Sequence, residues 1–441
     1  MIMKKLLIPV LAALMLCACG SEEISQPESL GIYSKTETIS ETTTTAAETT
    51  TETEKITTAE TAETVTTAEQ TEPTETETEA PPEEQPEEKT ESKAEELLGQ
   101  MSVREKVGQL FMIRPDGLLY DDYNDHGVRE VGDELRQKLK DFPVGGLIMF
   151  ASNIKTPEQI TQLNRDLQSA SRIPLFITTD EEGGYVARIA LNDNFDVQQF
   201  PTMLEIAASG DTAEAYNVGK TIGSYMSEYG FDLDLAPVAD VNTNPLNIVI
   251  GARAFGSDPE TAAEYVSACV DGFHDSGVMT CLKHFPGHGD TFGDTHKGTV
   301  YVDKNWDELK DCELIPFIEN LGKTDMIMAA HISLPNITGE DTPASLSKEI
   351  LTDKLRGELG YDGVIITDAL AMDAVKNVYS SEDAALEAFN AGADILLIPE
   401  RPFEAYEAIA AAVENGDISE ERLDESVLRI LKLKEKYGML G

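Results

Sequence analysis

A chain of 441 residues with a formal net charge of −47, 41% hydrophobic residues and five cysteines is long enough for a large core and strongly acidic. Like charge on this scale argues against nucleic acid as a ligand, and the expected partner is neutral or held by local cations. Cys269, Cys281 and Cys312, the three cysteines outside the N-terminal leader, are odd in number and lack CxxC spacing; they read as small buried hydrophobes rather than a disulfide frame or a metal site.

In chain order the first element is a leader. Two lysines within Met1 to Lys5 precede an apolar stretch, Leu6 to Leu16, that is too short to span a bilayer, and Leu16-Cys17-Ala18-Cys19 follows. The pattern resembles a bacterial lipoprotein signal covering residues 1–18. Cys19 is the residue expected to carry lipid, because Ala18 before it is small, whereas a cut before Cys17 would fall next to bulky Leu16. An ordinary secretory signal is the alternative. Both export the protein, and lipidation would hold it on the extracellular face of the cell membrane.

Residues 19–93 are dominated by Thr, Glu, Ala, Ser and Pro, with twenty Glu against four Lys between Ser21 and Lys93. Such a segment has too little to bury to offset its ordering entropy and is expected to be a disordered tether. Even a flexible chain of this length would reach roughly 45–50 Å end to end, and charge repulsion extends it further. Its threonines could also accept O-linked sugar.

From residue 94 to 441 the pattern is that of one large domain. Eight short apolar runs recur: Val107 to Ile113, Gly145 to Phe150, Pro174 to Thr179, Phe231 to Val238, Val278 to Leu282, Met326 to Ala330, Gly363 to Thr367 and Ala393 to Ile398. Helical stretches such as TPEQITQLNRDLQSA, DPETAAEYVSACVDGF and SSEDAALEAFNAG separate them, each opening on a residue suited to N-capping. Eight alternations of strand and helix predict a (β/α)8 TIM barrel, with a doubly wound open sheet as the lesser alternative. The last segment, ISEERLDESVLRILKLKEKYG, has helical periodicity and closes the single domain.

Polar residues fall at the ends of these runs. Asp180 follows the third, Asp240 the fourth, Lys283 and His284 the fifth, His331 the sixth, Asp368 the seventh and Glu400 the eighth. A barrel gathers all of these ends at one mouth, whereas an open sheet would not. The densest cluster is KHFPGHGDTFGDTH, from Lys283 to His296, which holds three of the six histidines. Titratable groups so close together cost more to desolvate than they return in packing, which points to chemistry.

Five segments carry a family resemblance: TDEEGGYVARI from Thr179, LAPVADVNTNP from Leu235, IGARAFGSDP from Ile250, KHFPGHGDTFGDTH from Lys283 and GVIITDALAMDAV from Gly363. In that order they resemble glycoside hydrolase family 3, and within it the single-domain β-N-acetylglucosaminidase type. Family glucosidases, by contrast, usually lack the GHGDT–DTH loop and take a glutamate from a second domain. The resemblance implies Asp368 as nucleophile, forming a covalent glycosyl-aspartate. It implies His296 as proton donor and acceptor on a mobile loop, with Asp294 orienting it. It assigns substrate positioning to Asp180, Arg188, Arg253, Lys283, His284 and, more loosely, His331. Three positions depart from the family's usual pattern: Glu181 stands where Gln is common, Tyr185 where Arg is common, and Ala369 where a second Asp is common.

The chemistry of the residues agrees with these roles. Cleavage with retention needs a carboxylate on one face of the sugar and a proton donor beside the leaving oxygen. Histidine ionises near working pH and suits the second task. Other readings remain at single positions. Asp368 could be the N-cap of a helix starting near Met372. Arg188 and Arg253 could form ordinary ion pairs. Asp240, Asn242 and Asn244 read as loop structure. Gly183 and Gly184 suit a tight strand-to-helix turn. His126 and His274 read as surface residues. His288, Asp290, Asp294 and His296 could supply metal ligands, but they share one glycine-containing loop, while metal barrels draw ligands from several strand ends. No metal and no cofactor is expected.

The function expected from all this is an exo-acting β-N-acetylglucosaminidase, a monomer, removing terminal GlcNAc from peptidoglycan fragments, with chitin-derived or host glycans as alternatives. A phosphorylase using the same residues is the runner-up, since a neutral histidine would not repel phosphate. A non-catalytic surface lectin is the alternative from another class.

Overall fold

The computed structural model describes residues 92–441. The leader, Cys19 and the tether up to residue 91 lie outside the described residues. Within them eight parallel strands form one sheet: β1 Phe111–Ile113, β2 Gly146–Ile148, β3 Phe176–Thr179, β4 Leu233–Asp234, β5 Met279–Phe285, β6 Met326–Ala329, β7 Val364–Thr367 and β8 Leu396–Leu397. Each pairs with its sequence neighbour from β1 to β7, and β1 also pairs with β8. Closure comes between β7 and β8 through a parallel bridge of Ile366 and Ile395, and through Leu397 N donating to Thr367 Oγ1 at 3.0 Å. The sheet is therefore a barrel, and the open-sheet alternative is excluded.

The strands form where apolar and β-branched residues can be buried on both faces, as parallel sheets require. All four residues of β7 (VIIT) and all seven of β5 (MTCLKHF) are buried. Helices start where the sequence offers caps. Thr156 accepts from Gln159 N ahead of Pro157–Ala170, Asp258 from Thr261 N ahead of Pro259–His274, and Ser380 from Asp383 N ahead of Ser381–Ala391. Helices Thr212–Glu228 and Pro259–His274 approach so closely that a Cβ on Gly272 would lie 2.2 Å from Tyr216 O. Cys269 and Cys281 are buried, and burial raises both thiols well above their usual range.

Two expectations need correction. Val107 belongs to a helix, Val103–Gln109, not to the first strand. A capping box, with Ser102 and Glu105 each bonded to the other's backbone N–H, starts the helix and places Val107 on its buried face. Gly183 and Gly184, with φ of +84° and +58°, make the tip of a small antiparallel hairpin, Glu181–Gly183 with Val186–Ala187, rather than a strand-to-helix turn. A second accessory pair, Val300–Tyr301 with Ile332–Ser333, braces the loop after β5 against the segment after β6.

Candidate active site

The C-terminal ends of β3 to β7 bring the expected residues to one mouth. Lys283, on β5, is buried and its Nζ contacts Asp180 Oδ1 at 2.9 Å and Glu182 Oε1 at 2.6 Å. Arg253 meets the same Glu182 through two bonds, Nε to Oε2 at 2.8 Å and NH2 to Oε1 at 2.7 Å. Arg188 reaches Asp180 Oδ2 at 3.4 Å, and its buried Nε has no protein partner. Two acids and three cations thus form one connected chain of ion pairs, from Arg188 through Asp180, Lys283 and Glu182 to Arg253. Burial by itself would raise Asp180 and Glu182, but Lys283 with Arg188, and Arg253 with Lys283, draw them below the ordinary carboxylate range. Such a platform of fixed donors and acceptors matches the hydroxyl array of a sugar.

Beside it, His284 Nδ1 lies 2.7 Å from Asp240 Oδ2. Asp240 Oδ1 also accepts from the backbone N–H of His284 at 3.2 Å and of His288 at 2.6 Å. Asp240 is therefore more than loop structure, because it fixes the orientation of His284. Glu182 was missed in the sequence because it reads as one more acid in a Glu pair. The alternation of the Glu181–Gly183 strand is what sends its neighbour Glu181 the other way.

Asp368 leaves the end of β7 with its N–H bonded to Ala329 O at 2.9 Å and its Oδ1 accepting from Ala369 N at 2.7 Å. It does not cap a helix: Asp373–Lys376 begins after Met372, with no side-chain cap. Burial pushes the Asp368 carboxyl up, but the His331 and His284 rings and the Ala369 N–H more than offset that and hold it below its usual range. His331 departs from the expected substrate contact. It is fully buried, with Nδ1 2.6 Å from Ser345 Oγ and Nε2 2.9 Å from Ala369 O, so both nitrogens are occupied by protein. Its place is behind Asp368, as support for the strand end.

The loop after β5 carries the remaining pair. Asp294 Oδ1 accepts from His296 N and lies 2.9 Å from His296 Nδ1, which leaves Nε2 to face outward. The short turn Thr295–Lys297 packs against Asp373–Lys376, the helix that follows Asp368, and the His296 ring contributes to the field at Asp368. The four residues weighed as metal ligands do not converge on one point: only Asp294 and His296 meet, and they bond to each other. His288 Nδ1 pairs with Thr291 Oγ1, Asp290 with Lys304, and Asp294 with His296 and Lys297. Among the described residues no three His, Cys, Asp or Glu side chains are grouped to hold a metal ion.

The N-terminal domain profile of glycosyl hydrolase family 3 matches residues 102–433. The chain belongs to this family. Beta-hexosaminidase A of Pseudoalteromonas piscicida is 39% identical over 333 residues, covering 69% of this chain and 55% of that protein. Beta-hexosaminidase LpqI of Mycobacterium tuberculosis is 31% identical over 343 residues, covering 76% and 83%. A family 3 β-N-acetylglucosaminidase from Paenibacillus sp. str. FPU-7 superimposes with a TM-score of 0.71 at 39% identity, covering 77% of this chain and 63% of that one. The chain thus spans between about half and four fifths of these relatives. In family 3 terms, the five motif segments sit at the ends of β3, β4, β5 and β7 and in the loop after β4, and all converge on the mouth just described.

Two of the sequence's other histidines lie elsewhere. His126 is exposed and pairs with Asp122. His274 is only partly exposed and lies 2.8 Å from Asp325 Oδ2 at the opposite end of the barrel, so it is a structural residue rather than a free surface one.

Proposed function

We propose that the protein is an exo-acting β-N-acetylglucosaminidase that releases terminal GlcNAc by a retaining double displacement. The observation that carries this reading is the pairing, across one barrel mouth, of an ionised Asp368 on a rigid strand end with an Asp294–His296 dyad whose Nε2 faces outward. In the first step an Asp368 oxygen bonds to the anomeric carbon while the carbon–oxygen bond to the leaving group breaks, and His296 gives its Nε2 proton to that oxygen. In the second step His296 takes a proton from water, whose oxygen displaces the Asp368 ester and restores the carboxylate. Asp294 stabilises the imidazolium and fixes its tautomer. The platform of Asp180, Lys283, Glu182, Arg253 and Arg188, with His284, binds the sugar and its acetamido group.

The leader supports the reading of an exported lipoprotein anchored through Cys19, and export favours peptidoglycan fragments as the source of GlcNAc. The test compares aryl β-GlcNAc with aryl β-glucoside, each with and without phosphate. GlcNAc should be preferred, and phosphate should leave the rate and the free-sugar product unchanged. Asp368→Ala should abolish turnover. GlcNAc 1-phosphate as product would make the protein a phosphorylase, and a native protein that binds but turns over neither glycoside would make it a lectin.

A further inference from the structure

The stretch from Ala329 to Ser333, at the end of β6, is bonded to both halves of the proposed machinery. On one side, Ala329 O accepts from Asp368 N at 2.9 Å and His331 Nε2 donates to Ala369 O at 2.9 Å, so the backbone is tied down on either side of the Asp368 side chain. On the other, Ala330 N donates to Phe285 O at 2.8 Å where the loop after β5 leaves the barrel. Ile332 and Ser333 pair with Val300 and Tyr301 where that loop returns, and Val302 N donates to Ser333 O at 3.0 Å. Asp294 and His296 lie between these two attachments. The stretch is itself held by a return of its own chain: Ser333 bridges Pro343, Ser345 N donates to Ala330 O at 3.0 Å, and Ser345 Oγ lies 2.6 Å from His331 Nδ1. All five residues and Ser345 are fully buried, where polar groups persist only with their bonds made. A carbonyl only accepts, so Nε2 carries the proton towards Ala369; in the neutral ring, which burial favours, Nδ1 then accepts from the Ser345 hydroxyl.

We infer that Ala329 to Ser333 is a spacer that sets the separation of Asp368 from the Asp294–His296 dyad, with Ser345, acting through His331, as a positioning residue for the nucleophile. The inference rests on the reading of Asp368 as nucleophile and His296 as acid and base. Retention requires the carboxylate on one face of the sugar and the proton donor beside the leaving oxygen at the same moment, so their separation is part of the mechanism. A displacement of about 1 Å costs on the order of a hundredfold in rate. Asp368 and His296 belong to different loops, and the spacer is bonded to the backbone of both. Its two arms are separable. His331 and Ser345 serve the nucleophile, while the pairing of Ile332–Ser333 with Val300–Tyr301 serves the dyad.

The experiment measures kcat/KM for methyl β-GlcNAc and dinitrophenyl β-GlcNAc, and the inhibition constant of GlcNAc, in the wild type, Ser345→Ala, Ser345→Thr and Val302→Pro. Attack by the carboxylate is needed whatever the leaving group, so Ser345→Ala should lower kcat/KM about tenfold on both substrates. Inhibition by GlcNAc should move less than about twofold, because the residues proposed to bind the sugar lie on other elements. Ser345→Thr keeps the hydroxyl and should recover most of the loss. Val302→Pro removes the N–H that Ser333 O accepts and frees the return of the dyad loop. It should lower the methyl glycoside about tenfold and the dinitrophenyl glycoside less than about threefold, since an activated leaving group needs little help from an acid. Unchanged kcat/KM in Ser345→Ala overturns the inference. So does a loss matched by equally weakened GlcNAc inhibition, which would make Ser345 a strut of the fold alone, and so does an equal loss on both substrates in Val302→Pro. If Val302→Pro does not fold, the two Ser345 variants decide the matter by themselves. A wild type inactive on both glycosides would instead overturn the catalytic reading beneath it.

Discussion

Asp294 occupies Nδ1 of His296 and leaves Nε2 for the proposed proton transfer, and that division of one ring sets what its loss should do. Removing a general acid matters in proportion to how badly the leaving oxygen needs a proton. His296→Ala is therefore expected to lower kcat/KM for methyl β-GlcNAc by about a thousandfold but for a dinitrophenyl β-GlcNAc by no more than about tenfold. Azide, which can attack the glycosyl-enzyme without general base help, should restore kcat on the aryl substrate and yield the β-azide. Equal losses on both substrates would show that His296 is structural. The reason an exposed loop can carry such a group is local: Asp294 accepts from both the backbone N–H and the ring of His296, so one carboxylate fixes the turn and the tautomer together.

At the scale of elements, the hairpin after β3 shows how a single buried carboxylate shapes the proposed sugar platform. Glu181 accepts from the backbone N–H of Arg188 at 2.6 Å, Ile189 at 2.8 Å and Ala190 at 2.8 Å, and from Tyr225 OH at 2.7 Å. It is a positioning residue for Arg188, and only an acceptor at both oxygens can serve all three amides. Glu181→Gln, although it installs the residue common in the family, should put an amide donor against a buried N–H and cost about 1–3 kcal/mol. The expected signature is a rise in KM of roughly tenfold with kcat changed less than threefold, and faster amide exchange at Arg188 to Ala190. A uniform fall in kcat without a KM change would contradict it. Elements of this kind mark the limit of what the sequence discloses. The eight strands were legible because each is a short apolar run, and the main caps because Thr156, Asp258 and Ser380 each precede a periodic stretch. The hairpin and the Val300–Tyr301 pair are too short for any period to register, and Glu182 looks like any other acid until Arg253, from the loop after β4, and Lys283, from β5, are brought to it. Asp368 was ambiguous between cap and nucleophile for the same reason: the sequence places it at a strand end, but where the next helix begins is a tertiary fact.

Across the barrel, the proposed site occupies the C-terminal mouth and the opposite end is sealed by the last helix, Glu420–Lys436. Acids stand just before alternate strands there: Asp232 before β4, Asp325 before β6 and Asp394 before β8. Lys436 and Tyr437 bond to Asp325, at 2.7 and 2.8 Å, while Ser426 and Arg429 reach Asp394. Lys434, fully buried, donates to Gln109 Oε1 at 2.7 Å and Gly145 O at 3.0 Å. Asp232 has the weakest support of the three acids. Its acceptor bonds are long, Gln168 Nε2 at 3.2 Å and Ile177 N at 3.4 Å, and burial pushes its pKa up to about 6 despite these bonds and the charge of Lys434. An unfolded aspartate titrates near 3.9, so between about pH 4 and 6 the folded state binds more protons than the unfolded state, and this residue removes stability as pH rises. Asp232→Asn should leave stability unchanged at pH 4 and raise it progressively, reaching about 1–2 kcal/mol above wild type by pH 7 once partial solvation is allowed for. Urea unfolding across that range is the measurement. A difference between variant and wild type that stays flat with pH would mean that Asp232 is ionised throughout in the folded protein, with Lys434 as a full partner. Turnover of aryl β-GlcNAc should be unaffected in either case, because the substitution lies at the end of the barrel opposite the proposed site.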